Sequence, residues 1–231
     1  MRLTPLLVLS FTLISARPGL SQQIDLGTTR LVDLTHSFNA ETIFWPTSPS
    51  TFQLQQLAHG QMEGGFFYSA NAFSTPEHGG THLDAPIHFA EGGQTTDKIP
   101  LGQLIGPAVV IDVSGKAASN PDYRLTREDV LEFEGAHGRI EPGTIVLLRT
   151  GWSARWPDRK RYLGDDTPND ASKLRFPSFG EDAARLLVEE RSVKAMSDYE
   201  PTRVLSSWAC DSADDTPLTC AATPAYIRPD T

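Results

Sequence analysis

Two short, almost unbroken apolar runs constrain this chain most: residues 107–113 (Pro-Ala-Val-Val-Ile-Asp-Val) and 144–148 (Thr-Ile-Val-Leu-Leu). Both are rich in β-branched residues, and neither alternates polar with apolar. A half-exposed strand needs a polar residue at every second position, so runs like these belong to strands covered on both faces. A helix signature lies between them. Thr126 is placed to cap it, with Asp129 three residues on in a capping-box arrangement, and Leu125 and Val130 are spaced as a hydrophobic staple. A second helix is predicted over 179–191, with Ser178 and Glu181 as its box and Ala184, Leu187 and Val188 on one face. A further strand begins at 193–196. Strand, helix, strand, helix, strand predicts α/β layering.

The remaining segments are read more coarsely. Residues 31–34 (Leu-Val-Asp-Leu) look like a short strand, 44–49 a turn entered by Phe44 and Trp45, 56–65 a loop, and 66–73 a strand. The chain has 231 residues, enough for one ordinary domain or two small ones. Its 20 Lys and Arg stand against 29 Asp and Glu, a net charge of −9, which argues against a nucleic-acid partner. Hydrophobic and charged contents of 39% and 21% are those of a globular protein. No apolar run approaches the roughly 18 residues of a membrane span. Arg2, an apolar stretch over 5–14, and small residues at Gly19 and Ser21 describe a secretory signal over 1–21. The mature chain is therefore expected in an exported compartment, periplasmic or secreted. Residues 22–196 form the domain. Residues 197–231 hold six acids and four Pro against four of Val, Leu, Ile, Met and Phe, the composition of an irregular or disordered tail. Both Cys, Cys210 and Cys220, fall there, either as a local disulfide or as an unpaired couple.

The chemistry concentrates in His78-Gly79-Gly80-Thr81-His82-Leu83-Asp84-Ala85-Pro86-Ile87-His88. Three of the six His in the chain fall within these eleven positions. Imidazole and carboxylate together are the ligand set for zinc, manganese or iron. An extended backbone would separate His78 and His82 by about 13 Å. Ligand atoms sharing one metal must lie about 4 Å or less from one another. One helical turn brings positions i and i+4 to about 6 Å, so a turn-like backbone is expected between them. Asp84 would point away from a continuing helix, so the chain must leave it after His82. Pro86 biases Ala85 toward extended conformation, and Gly79 and Gly80 permit a tight entry. The expected unit is a metal-binding turn with His78, His82 and Asp84 as ligands. His88 follows as a fourth ligand or a nearby acid/base. Thr81 is expected to bond the backbone or to orient a ligand. His36 is more economically structural than pocket-lining, and His59 and His137 look like surface loop residues.

His-x-Gly-Thr-His-x-Asp-x-Pro-x-His-Phe resembles the signature of the cyclase-like metal-dependent hydrolases, a family that includes kynurenine formamidases (arylformamidases) and isatin hydrolases. Val32-Asp33-Leu34-Thr35-His36, Phe44-Trp45-Pro46 and the stretch from Val146 to Trp152 match other parts of it. The resemblance covers about residues 30–195. It implies the family's swivelling β/β/α fold within the α/β class, often assembled as a homo-oligomer. It also implies His78, His82 and Asp84 as metal ligands, with Asp84 able to bridge two metals, and His88 as the catalytic proton donor and acceptor. Trp45 resembles the aromatic that borders the substrate pocket; its bland alternative is to cap a core edge. The cofactor would be a divalent metal, zinc in formamidase relatives and manganese in isatin hydrolase relatives. The substrate would be a small aromatic amide, N-formylkynurenine hydrolysed to kynurenine in tryptophan catabolism, with isatin, a cyclic aryl amide, as the alternative.

After the strand near Val193 the family supplies a further His and a Glu as ligands. This chain has no His after His137, and Ala195-Met196-Ser197-Asp198-Tyr199-Glu200 does not continue as the family does. A C-terminal part that is incomplete or divergent is therefore expected, with at most one well-held metal and reduced activity. The competing expectations are a metal-binding remnant without turnover and a structural module without metal.

Overall fold

The computed structural model describes residues 27, 29–199 and 218–221. The expected signal at 1–21 and Cys210 lie outside them. The chain divides into two compact units, Met1–Asp33 and Leu34–Thr231.

Within the second unit the elements follow in this order: β1 (Gln53–Gln61), β2 (Phe67–Ser74), α1 (Leu101–Leu104), β3 (Ile105–Asp112), α2 (Ser114–Ser119), β4 (Arg124–Leu125), α3 (Arg127–His137), β5 (Ile145–Arg149), α4 (Arg159–Leu163), β6 (Ser178–Phe179), α5 (Glu181–Arg185), β7 (Ala195–Tyr199) and β8 (Leu218–Ala221). The central sheet has the order β7-β5-β3-β8. Strands β3, β5 and β7 are parallel, with Ala108 opposite Ile145 and Ile145 opposite Ala195; β8 runs antiparallel to β3. The α/β reading therefore holds. Of residues 197–231, Ser197–Tyr199 complete β7 and Leu218–Ala221 form β8; the rest lie outside the described residues.

The two apolar runs are strands because both faces of the sheet exclude water. Ile111, Val146, Leu148 and Met196 face one core cluster, with Val130 of α3 and Ala183 and Ala184 of α5. Ala108, Ile145 and Leu147 face a second, smaller cluster to which Leu34, Val110 and Ala195 add. Each fully buried Leu or Ile contributes about 1.5–3 kcal/mol. The helix between the strands starts as expected: Asp129 N donates to Thr126 Oγ1 at 3.2 Å, and Thr126 N donates to Asp129 Oδ2 at 2.8 Å. Leu125 and Val130, the expected staple, are both buried in the first cluster.

Several expectations need correction. The second helix starts at Gly180 rather than behind a Ser178 cap. Ser178 N donates to Tyr123 O and Gly180 N to Leu125 O, so this stretch is held as a strand beside β4. Past Arg185 the helix widens into one π turn, Leu186–Glu190, with Arg191 N bonding Leu186 O at 3.1 Å. The extra residue per turn puts Leu186 and Leu187 in the core and leaves Val188 exposed. Residues 31–34 form no strand: among the described residues their backbone joins no ladder. Most of 56–65, expected as a loop, belongs to β1. That strand is mostly exposed, and its apolar residues Leu54, Leu57 and Ala58 do not fall at every second position, so it lacks the alternation that marks a strand. His59 accordingly sits on β1, and His137 is the last residue of α3. The expected strand at 66–73 and the turn after Trp45, where Ser48 N bonds Trp45 O at 3.0 Å, are both present.

Candidate metal centre

The loop from β2 to the 3-10 turn Pro86–His88 carries the cluster. Its backbone bends without forming the helical turn that the i, i+4 spacing suggested. One antiparallel bridge with the segment before β1 makes the bend. Gly79 forms an isolated antiparallel bridge with Phe44, and Gly80 N donates to Ile43 O at 3.1 Å. Gly79 has to be glycine because a Cβ there would lie 2.2 Å from Phe44 Cδ1. Gly80 has φ +62°, the left-handed region that glycine enters at no steric cost. After Asp84 the chain straightens: Ala85 is extended (φ −71°, ψ 147°), as a residue before proline prefers, and Pro86 opens the 3-10 turn.

The bend brings three donor atoms into one triangle. His78 Nδ1 lies 3.0 Å from Asp84 Oδ1, His82 Nε2 lies 3.1 Å from the same oxygen, and the two imidazole nitrogens are 2.9 Å apart. All three edges are below the roughly 4 Å limit for atoms sharing one divalent ion. Among the described residues this is the group of three metal-capable side chains that converges. His82 Nδ1 donates to the Gly80 carbonyl at 2.9 Å, which turns Nε2 toward the triangle. The side chains are partly shielded, 12% exposed for Asp84 and 23% for each imidazole, which strengthens charge interactions between them. Burial alone would lower the His82 pKa, but the Asp84 carboxylate and the Gly80 carbonyl outweigh it and raise the value. Burial would likewise raise Asp84, yet hydrogen bonds from His78 and His82 hold its carboxyl well below the usual carboxylate range. The donor set, two imidazoles and one carboxylate, fits zinc or manganese.

Around this triangle stand the other expected residues. The His88 ring is exposed and stacks on His78, centroids 5.1 Å apart and planes 30° apart. The Trp45 ring lies 5.6 Å from His78 and also packs on the cluster of Ile43, Leu163 and Leu174. Phe176 meets Trp45 edge-on at 6.2 Å. Thr81 Oγ1 accepts the His36 amide at 2.9 Å, so the threonine does bond the backbone. Phe44, Ser153 and Trp156 also support this region, a role that no local sequence pattern announces. Phe44 lies under Gly79; Trp156 stacks on His36 at 4.1 Å; Ser153 Oγ lies 3.3 Å from His36 Nε2.

The fold and the cluster together define a class. The Cyclase family profile, described as "Putative cyclase", matches residues 32–198, and the chain belongs to this family. It is similar to the isatin hydrolase of Roseibium aggregatum, with 32% identity over 162 residues, covering 66% of this chain and 61% of that protein. It is similar also to the kynurenine formamidase of Salinibacter ruber, with 29% identity over 157 residues, covering 66% of this chain and 68% of that protein. Among solved structures it resembles isatin hydrolase A from Ralstonia solanacearum, with a TM-score of 0.62 and 32% identity, over 72% of this chain and 65% of that one. The chain thus spans about three fifths to two thirds of the length of these relatives.

Proposed function

We propose that this chain is a metal-dependent hydrolase that cleaves an aryl amide C–N bond, with His78, His82 and Asp84 holding one divalent ion and His88 acting as acid and base. The observation that carries the reading is the triangle of donor atoms with edges of 2.9–3.1 Å. A zinc or manganese ion bound there supplies hydroxide near neutral pH and polarises the amide carbonyl. The chain's residues do the rest. The Gly80 carbonyl fixes the His82 tautomer, and Asp84 balances the ion's charge. His88, exposed and stacked against a ligand imidazole, takes a proton at a ring nitrogen and returns it to the leaving amine. Trp45 offers an aromatic face beside His78 on which the aryl ring stacks. An aryl amine is a better leaving group than an alkyl one, so the substrate class and a single acid/base are consistent.

Within the class, ring opening of a cyclic aryl amide such as isatin stands ahead of deformylation of N-formylkynurenine. Isatin hydrolases among both the sequence relatives and the solved structures support that order. The assay is turnover of isatin and of N-formylkynurenine by metal-loaded protein, repeated after chelation and with His88→Ala. Turnover lost in both controls supports the reading. Retained metal with no turnover on either substrate supports a binding remnant instead. Export belongs to the same proposal: the N-terminus of protein recovered from its native cell envelope or medium should begin at Gln22.

A further inference from the structure

Two motifs remain outside this chemistry: Asp33-Leu34-Thr35-His36, and Thr150-Gly151-Trp152 with the Ser153 that follows. They meet at His36, which contacts Ser153 through its ring and Thr81, the residue just before His82, through its amide. Thr81 Oγ1 accepts the amide proton of His36 at 2.9 Å. That amide is fixed in turn, because the His36 ring stacks on Trp156 (4.1 Å, planes 17° apart) and its Nε2 meets Ser153 Oγ at 3.3 Å. Ser153 belongs to the 3-10 turn Trp152–Arg155, which follows directly from β5. On the neighbouring residue, Gly80 N is held by Ile43 O, while Gly80 O orients His82. Residues 36–44 therefore grip the bend through the bridge at Gly79 and Gly80 and, separately, through the hydroxyl of Thr81.

We propose that Thr81 is a positioning residue whose hydroxyl, gripping the His36 amide, sets the approach of His82 to His78 and so the affinity of the site for its metal. The inference rests on the metal reading above. Thr81 is covalently next to His82, so its hydrogen bond acts on that ligand through the backbone; groups that orient a ligand change metal affinity by about 10–100-fold. Thr81→Val keeps the shape and removes the acceptor, leaving the His36 N–H without it. Thr81→Ser keeps the acceptor.

The test uses the full chain and cobalt(II) as probe, read by its visible absorption and by competition with a chromophoric chelator. Thr81→Val should bind cobalt about 10–100-fold more weakly with an altered spectrum, while its far-ultraviolet circular dichroism stays that of the parent. Thr81→Ser should restore both affinity and spectrum. Parental affinity and spectrum in Thr81→Val would overturn the positioning role and leave the metal site standing. Equal impairment in Thr81→Val and Thr81→Ser would overturn it too, since the methyl or the volume would then matter rather than the hydroxyl. Absence of cobalt binding by the parent chain would overturn the metal reading and this inference with it. Should Thr81→Val not fold, Thr81→Ala removes the same acceptor and carries the comparison. If neither folds while Thr81→Ser does, the hydroxyl serves the fold at large and the positioning role is overturned.

Discussion

Gly79 has no room for even a methyl group, because the Phe44 ring fills the space a Cβ would need. Gly79→Ala must push that ring aside or open the bridge that shapes the bend. Overpacking of this kind costs about 1–3 kcal/mol. Chemical denaturation should show that loss, and metal affinity should fall with it, since His78 is the adjacent residue. Unchanged stability and affinity would mean that Phe44 can move freely. This residue also marks what could be read from the chain alone. The grouping of His78, His82 and Asp84 was legible because imidazoles and a carboxylate crowded into a few positions have one common use. The form of the bend was not legible. It depends on Phe44 and Ile43, more than thirty residues earlier, and local spacing carries no trace of a long-range bridge. Trp156 and Ser153 were hidden for the same reason: they meet the site through His36, more than a hundred residues earlier.

Helix α3 shows how a single side chain holds an element in place. Asp129 completes the capping box and also receives the Tyr123 hydroxyl at 2.6 Å and the Lys116 ammonium. Burial alone would raise the pKa of this carboxyl, but the Lys116, Thr126 and Tyr123 hydrogen bonds outweigh it and lower the value. A folded-state value below the unfolded one, about 3.9, means the stabilisation is fully present above that pH. It fades as pH falls through the lower folded value. Asp129→Asn should therefore cost about 1–3 kcal/mol at pH 7 and distinctly less at pH 3, read from denaturation midpoints. An equal cost at both pH values would contradict the charge-based account. At the far end of the same helix, Glu134 pairs bidentately with the buried Arg191 at 2.7 and 2.9 Å, tying α3 to the end of the π turn. Removing the carboxylate in Glu134→Ala leaves a buried guanidinium short of its main partner, a loss of about 2–3 kcal/mol. The capping box at 126–129 was readable because it is local and has a sequence form. The π turn was not, since nothing in Leu186–Glu190 distinguishes a five-residue turn from a four-residue one; core packing of Leu186 and Leu187 decides it.

At the scale of the whole chain, the β1–β2 hairpin exposes Leu54, Leu57, Phe66, Phe67, Tyr68 and Phe73. A two-stranded ribbon is only marginally stable in water by itself, and one that exposes this many large apolar side chains calls for cover. The homo-oligomer implied by the family resemblance would cover it. Analytical ultracentrifugation should find a species larger than one chain, and Phe67→Ser with Phe73→Ser should shift it toward monomer; a monomer in the parent would contradict this.

Equilibrium dialysis of the purified chain against zinc and manganese, with the bound metal counted, decides whether His78, His82 and Asp84 share one divalent ion. We predict about one tightly held ion per chain, lost in Asp84→Ala and in His78→Ala with His82→Ala. Binding at a hundredfold excess over Kd should add about 2.7 kcal/mol to stability. No bound ion, or binding that survives removal of those three side chains, would contradict the account.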